Sequence, residues 1–285
     1  MSDQPKLTEP LPSPAGAVPG GAGLSPRQRQ TISRGVQYVI FVVLVALVVS
    51  LADWAAIREH FLDMKVAENL FPEIFTVALK NTVIYTISGY VLGFFLGLLV
   101  ALMRLSSAAP NRWVALVYIE VFRGLPAVLV FILLGLAVPT AFPGIRFPFD
   151  EYGVVAIALG LVSAAYMAET IRAGLQAVPK GQMEAARSLG MSYSRAMITV
   201  VIPQALRIVI PPLTNELILL FKDSSLVFAI GVTSATSELT KFGQDIATEY
   251  ADSTPLLLAG ATYLLITIPL GIVVRRLEAR QAKAR

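Results

Sequence analysis

Three charges sit in a stretch that is otherwise fit for hydrocarbon. Residues 208–232 carry Glu216, Lys222 and Asp223, with Asn215, Ser224 and Ser225 beside them. A charge in mid-membrane is expensive, so such groups normally face a bundle interior or a watery path, where they bind ions or polar solutes. Glu216 and Asp223 are seven residues apart and share one helical face if the helix is continuous. Pro211 and Pro212 leave that phase open. The segment therefore reads as a substrate path, with interhelical hydrogen bonding as the structural alternative. Its mixed signs suit a zwitterion without choosing among side chains. Two further pairs, Glu120 with Arg123 and Glu169 with Arg172, have the i,i+3 spacing that puts both members on one face. They read as pairs that neutralise themselves near a membrane surface, the arginines snorkelling outward, and Glu169 stays among the path candidates.

Other chemistries are excluded. Cys is absent, which removes disulfides, thiolate metal sites and thiol nucleophiles, and His60 is the only histidine, so no histidine metal cluster or histidine-based triad can be built. No catalytic residue, metal, bound cofactor or nucleic-acid partner is expected of this chain.

The elements that must position these charges are membrane-length. The 285 residues are 55% hydrophobic and 15% charged, against roughly 25% charged in soluble domains. Residues 1–33 are rich in Pro and Gly and read as a disordered tail. Residues 35–52 form an uncharged run long enough to cross a bilayer. Ser50 and Ala52 lie at cleavage-like spacing, which admits a signal sequence, but the long preceding tail favours a retained span. Five more apolar segments follow, at about 81–103, 113–138, 152–176, 208–232 and 253–274. Only helices or closed barrels satisfy the backbone in lipid, and these runs are too long for barrel strands. The expected fold is all-α, a polytopic helical membrane protein of about six spans.

Basic residues orient it. Arg27, Arg29 and Arg34 precede the first span, Arg104 and Arg112 flank the next loop but one, and Lys180, Arg187 and Arg195 fill the fourth. Arg275, Arg276, Arg280, Lys283 and Arg285 form a basic tail at 275–285, while the intervening loops are acidic or mixed. The positive-inside bias puts both termini in the cytoplasm.

The fourth loop contains the octet "MEAARSLG", residues 183–190. On a helical wheel Met183, Ala185, Ala186, Leu189 and Gly190 share one arc and Glu184, Arg187 and Ser188 the other. Pro179 lies just ahead of the start, and Gly190 is a natural stop. A lipid-surface helix usually shows larger apolar residues than these. A face of Ala and Gly instead lets another protein surface approach closely, so a docking helix for a cytoplasmic partner fits better.

The stretch "EAARSLGMSYSRAMITVVIP" resembles the EAA loop of ABC importer permeases, with Val200 and Ile202 as conservative departures. "FRGLP", "AAYMAETIRAGLQAVP", "PQALRIVIPPLTNELI" and "KDSSL" are similar to the branch that imports polar amino acids (His, Glu, Gln, Arg) and opine-like compounds. The likeness covers about 75–274, the type-1 transmembrane domain of that family. It implies an EAA helix (Glu184, Ala185, Ala186, Gly190, ending at Pro203) that docks on a dimer of ATPase subunits. It also implies an extracytoplasmic amino-acid-binding protein, a second permease (itself or a sister chain), and ATP with Mg on the partner ATPase alone. No GxxxxGK occurs here. Membrane lipid surrounds the rest. An ion-coupled secondary transporter is the alternative, although no second, inverted copy of the 216–225 pattern is present. An intramembrane enzyme, lacking Cys and GxSxG, is weaker.

Overall fold

The computed structural model describes residues 26–283; residues 1–25 of the expected tail at 1–33 and the last two residues lie outside them. Contacts divide the chain into two units, 1–54 and 55–285. The first contains α1 (Pro26–Leu51), which starts well inside the expected tail, and from residue 30 onward its side chains are exposed. From Tyr38 on its composition accounts for that: an uncharged, almost wholly apolar run has lipid as its solvent.

The second unit follows in the order α2 (Trp54–Phe61), α3 (Met64–Asn69), a π-helical turn (Ile74–Leu79) running into α4 (Lys80–Leu105), and α5 (Ala109–Gly124). Then come α6 (Ala127–Ile132), α7 (Val138–Ala141), α8 (Glu151–Gln176), α9 (Lys180–Ser188), α10 (Tyr193–Ala196) and α11 (Ile202–Asp223). A 3-10 segment (Ser224–Ile230) leads on to α12 (Leu239–Tyr250) and α13 (Thr254–Lys283). Among the described residues five helical stretches are long and apolar enough to cross a membrane, or six if the bent pair α5 and α6–α7 counts as one. No strand occurs among the described residues.

Small residues set the central packing. Gly89, Gly93 and Gly97 recur every fourth position on α4 and meet α8. A Cβ on Gly93 would overlap the Ser163 hydroxyl, and one on Gly97 would lie 2.9 Å from the Ala164 carbonyl. Without lipid-driven attraction between helices, such close backbone approach is what holds them.

The third expected segment is not one straight span. Its halves meet at 105°, broken at Leu125 (ψ 139°) and Pro126. Proline excludes the helical conformation from the residue before it and has no N–H to continue the ladder. The two prolines in α11 have the opposite outcome, and the helix stays continuous. Pro211 cannot bond the Arg207 carbonyl, and the Gln281 side chain of α13 donates to it instead. α13 itself runs on through the expected basic tail to Lys283.

At one end of the unit, polar side chains clamp residues 234–239. Asn81 Nδ2 donates to the carbonyls of Ala235 (2.9 Å) and Ser237 (3.0 Å), and the Tyr85 hydroxyl to that of Thr236 (2.7 Å). The Leu239 N–H donates to the Thr82 hydroxyl, and Tyr152 donates to Asn81 Oδ1. Glu238, fully buried, caps α12 by accepting from the Thr240 and Lys241 N–H groups, and it accepts the Tyr263 hydroxyl at 2.7 Å.

Candidate solute cavity and partner-facing helix

Because α11 is unbroken, Glu216 and Asp223 fall on one face, two turns apart, and both line a cavity of about 310 Å³. α8 contributes Ser163 and Tyr166, the break between α5 and α6 contributes Leu125, and α6 contributes Phe131. The break thus turns a would-be span aside and opens space against α11. Each carboxylate is half-buried and has no hydrogen bond or ion pair among the described residues; Glu216 feels the charge of Asp223, and Asp223 that of its neighbour Lys222. A half-buried carboxylate without a partner is costly unless water or a ligand meets it.

The other path candidates sit elsewhere. Lys222 and Asn215 are exposed and do not line the cavity, so its lining carries a single sign of charge. Ser224 is buried and donates to the Phe221 carbonyl (2.8 Å), while Ser225 is half-buried outside the lining. Glu169 is held by Arg172 through two contacts, Nη2 to Oε2 at 2.6 Å and Nε to Oε1 at 3.1 Å, as its spacing suggests. Arg123 makes no such bond with Glu120 and instead lies over the Tyr166 ring, 5.5 Å from its centroid. Tyr166, Ser163 and the Leu125 break are site features that sequence reasoning missed. The Pro in "FRGLP" was the available signal for the break.

The octet forms a helix as expected, α9, and ends in a Schellman arrangement. Gly190 has φ +85°, its N–H bonds the Arg187 carbonyl, and the Met191 N–H reaches the Ala186 carbonyl at 3.2 Å. Ala186 is buried, and the half-buried Met183 packs against a small cluster of Val178, Val201 and Ala205. That anchors α9 to the chain just ahead of α11. Glu184, Ala185, Gly190 and Pro203 are exposed, and Leu189 is 84% exposed.

The chain is similar to known proteins. The family model described as "Binding-protein-dependent transport system inner membrane component" matches residues 89–283. The arginine transport system permease protein ArgU of Corynebacterium glutamicum is 38% identical over 225 residues, covering 75% of this chain and 67% of that protein. The probable glutamine ABC transporter permease protein GlnM of Bacillus subtilis is 38% identical over 191 residues, 67% of this chain and 85% of the relative. Among solved structures, an amino acid ABC transporter with histidines is 34% identical with a TM-score of 0.68, covering 76% of this chain and 98% of the other.

Proposed function

We propose a mechanism from the premise that this chain belongs to the family of binding-protein-dependent transport system inner membrane components. It is the permease subunit of an amino-acid importer of the ATP-binding-cassette type, which sets aside the ion-coupled alternative. In our reading the cavity between α11, α8 and the α5–α6 break holds the solute in transit. The observation that carries this is the pair Glu216 and Asp223, two unpartnered carboxylates facing one cavity inside the membrane-spanning part. With no cation in the lining, they favour an amino acid with a cationic side chain over an acidic one, because like charge in a low-dielectric site is strongly disfavoured. Relatives named for arginine and glutamine agree with a polar amino acid as the solute class.

α9 is the coupling element. Its exposed Leu189, Ala185 and Glu184 dock on a partner ATPase, where ATP and Mg are bound, and Ala186 and Met183 pass its displacement to α11. A dimer of ATPase subunits, a second permease and an extracytoplasmic amino-acid-binding protein complete the importer. The basic ends lie in the cytoplasm, and the clamped 234–239 segment lies on the opposite side.

The test is competitive ATP-driven uptake of arginine, glutamine and glutamate into proteoliposomes, wild type against Glu216→Gln, with binding proteins that accept each. The expected result is a fall in the arginine-to-glutamate ratio with assembly intact. An equal loss across the three solutes, or loss of the folded complex, assigns Glu216 to helix packing instead.

A further inference from the structure

The solute of an amino-acid permease carries an α-carboxylate as well as its ammonium and side chain, and the cavity lining offers that carboxylate no cation. A candidate lies just outside the lining and touches it. Arg123 ends α5 two residues before the cavity-lining Leu125, and its guanidinium lies over Tyr166, itself part of the lining.

Among the described residues this guanidinium makes no ion pair. Glu169, one turn beyond Tyr166 on α8, lies within the field of Arg123, yet both its oxygens are taken by Arg172. Glu120, on the same face of α5, makes no ion pair with it. An aromatic face orients a guanidinium and leaves its edge N–H groups free to fork onto a carboxylate. The Arg172–Glu169 pair thus has a consequence: by satisfying Glu169 it leaves Arg123 available.

We infer that Arg123 is the anchor for the solute's α-carboxylate, with Glu216 and Asp223 taking the α-ammonium and the side-chain cation. This rests on the cavity reading given above and extends it to a three-point fit. Two negative groups and one positive group complement a solute with two positive groups and one negative. The lengths agree as well: seven residues of helix put the Cα atoms of Glu216 and Asp223 about 10.5 Å apart. The two cationic groups of an extended arginine are roughly 7 Å apart, a span that flexible carboxylate side chains two turns apart can bracket.

The test is equilibrium binding of arginine and of its decarboxylated analogue agmatine to the permease–ATPase complex in nanodiscs, without the binding protein. Wild type is expected to prefer arginine. Arg123→Gln should weaken arginine about 10–100-fold, the worth of a charge-assisted hydrogen bond, while agmatine changes less than twofold. Retained agmatine binding then shows that the variant is folded. If Arg123→Gln does not assemble, Arg123→Lys replaces it, and a reduced arginine-to-agmatine ratio is expected there too, since a point charge cannot fork. An unchanged ratio in the variant used, or equal loss of both ligands from an assembled complex, overturns the anchor. Glu216→Gln should weaken both ligands. If it weakens neither, the cavity reading itself has failed, and the anchor with it.

Discussion

Replacing Gly97 with alanine adds one methyl group at the tightest backbone contact between α4 and α8. The new Cβ would lie 2.9 Å from the Ala164 carbonyl, 3.0 Å from Met167 Cβ and 3.3 Å from the Ala168 nitrogen. Two of those neighbours are backbone, so no rotamer change relieves the crowding, and the helices must separate. Overpacking of this kind costs about 1–3 kcal/mol. Alanine returns about 0.8–1.0 kcal/mol of helix propensity, so the expected net loss is centred on about 1 kcal/mol. That corresponds to roughly 2–4 °C in the melting temperature of a domain of this size. Gly260→Ala on α13 is the matched control, since a Cβ there meets nothing within 4 Å and gains propensity without a clash. The assay is thermal unfolding of the purified complex in detergent, with arginine uptake measured alongside, because the displaced helix carries Ser163 and Tyr166. A Gly97→Ala complex that melts at or above the Gly260→Ala complex would refute the close-approach argument.

Three further outcomes are expected. Gly190→Leu forces a β-carbon into a left-handed conformation at a cost of roughly 1–2 kcal/mol and blocks partner approach; the permease should stay in the membrane but lose its ATPase on co-purification, and unchanged recovery and transport would reject the docking role. Burial pushes the Glu238 carboxyl up from its ordinary value, and the Tyr263 hydroxyl and the Thr240 and Lys241 N–H groups oppose that shift without cancelling it. A raised carboxyl favours folding while protonated, so its contribution is present below about pH 4.3 and is lost as pH rises through the folded value. The difference in melting temperature between wild type and Glu238→Gln should therefore vary with pH over that window, and a constant difference would show that Glu238 does not titrate differently on folding. Reporters fused before Arg27 and after Arg285 should both read as cytoplasmic, because six crossings place the termini on one side. Opposite readings would mean that α5 to α7 re-enter on the same face rather than cross.

What was legible in the sequence follows from the range of the interactions involved. α4, α8 and α13 were visible because an uncharged membrane-length run has one stable form in lipid. α9 was visible because an amphipathic octet closed by glycine carries its own start and stop. The phase of Glu216 and Asp223 was open, since whether Pro211 and Pro212 break α11 depends in part on Gln281, nearly seventy residues further on. The apolar run at 113–138 concealed its break because hydropathy does not register the backbone effect of Pro126 on Leu125. Ser163 and Tyr166 were passed over because α8 is rich in small residues throughout, and only its contact with α4 decides which face is left for the cavity. Glu238 drew no notice as one more loop carboxylate; its burial comes from α4, α12 and α13 together.

The central claim is that the solute passes through the cavity walled by Glu216 and Asp223. The chain contains no cysteine, so Leu219→Cys, on the cavity wall between those two carboxylates, introduces a single thiol. The measurement is its rate of modification by a small water-soluble thiol reagent, in the complex with its ATPase, with and without saturating arginine. Val83→Cys, exposed on α4 and outside the cavity lining, serves as the reference. The account predicts that arginine slows labelling at position 219 and leaves position 83 unaffected. A Leu219→Cys complex that still imports arginine but whose thiol is modified equally fast with and without it would contradict the account.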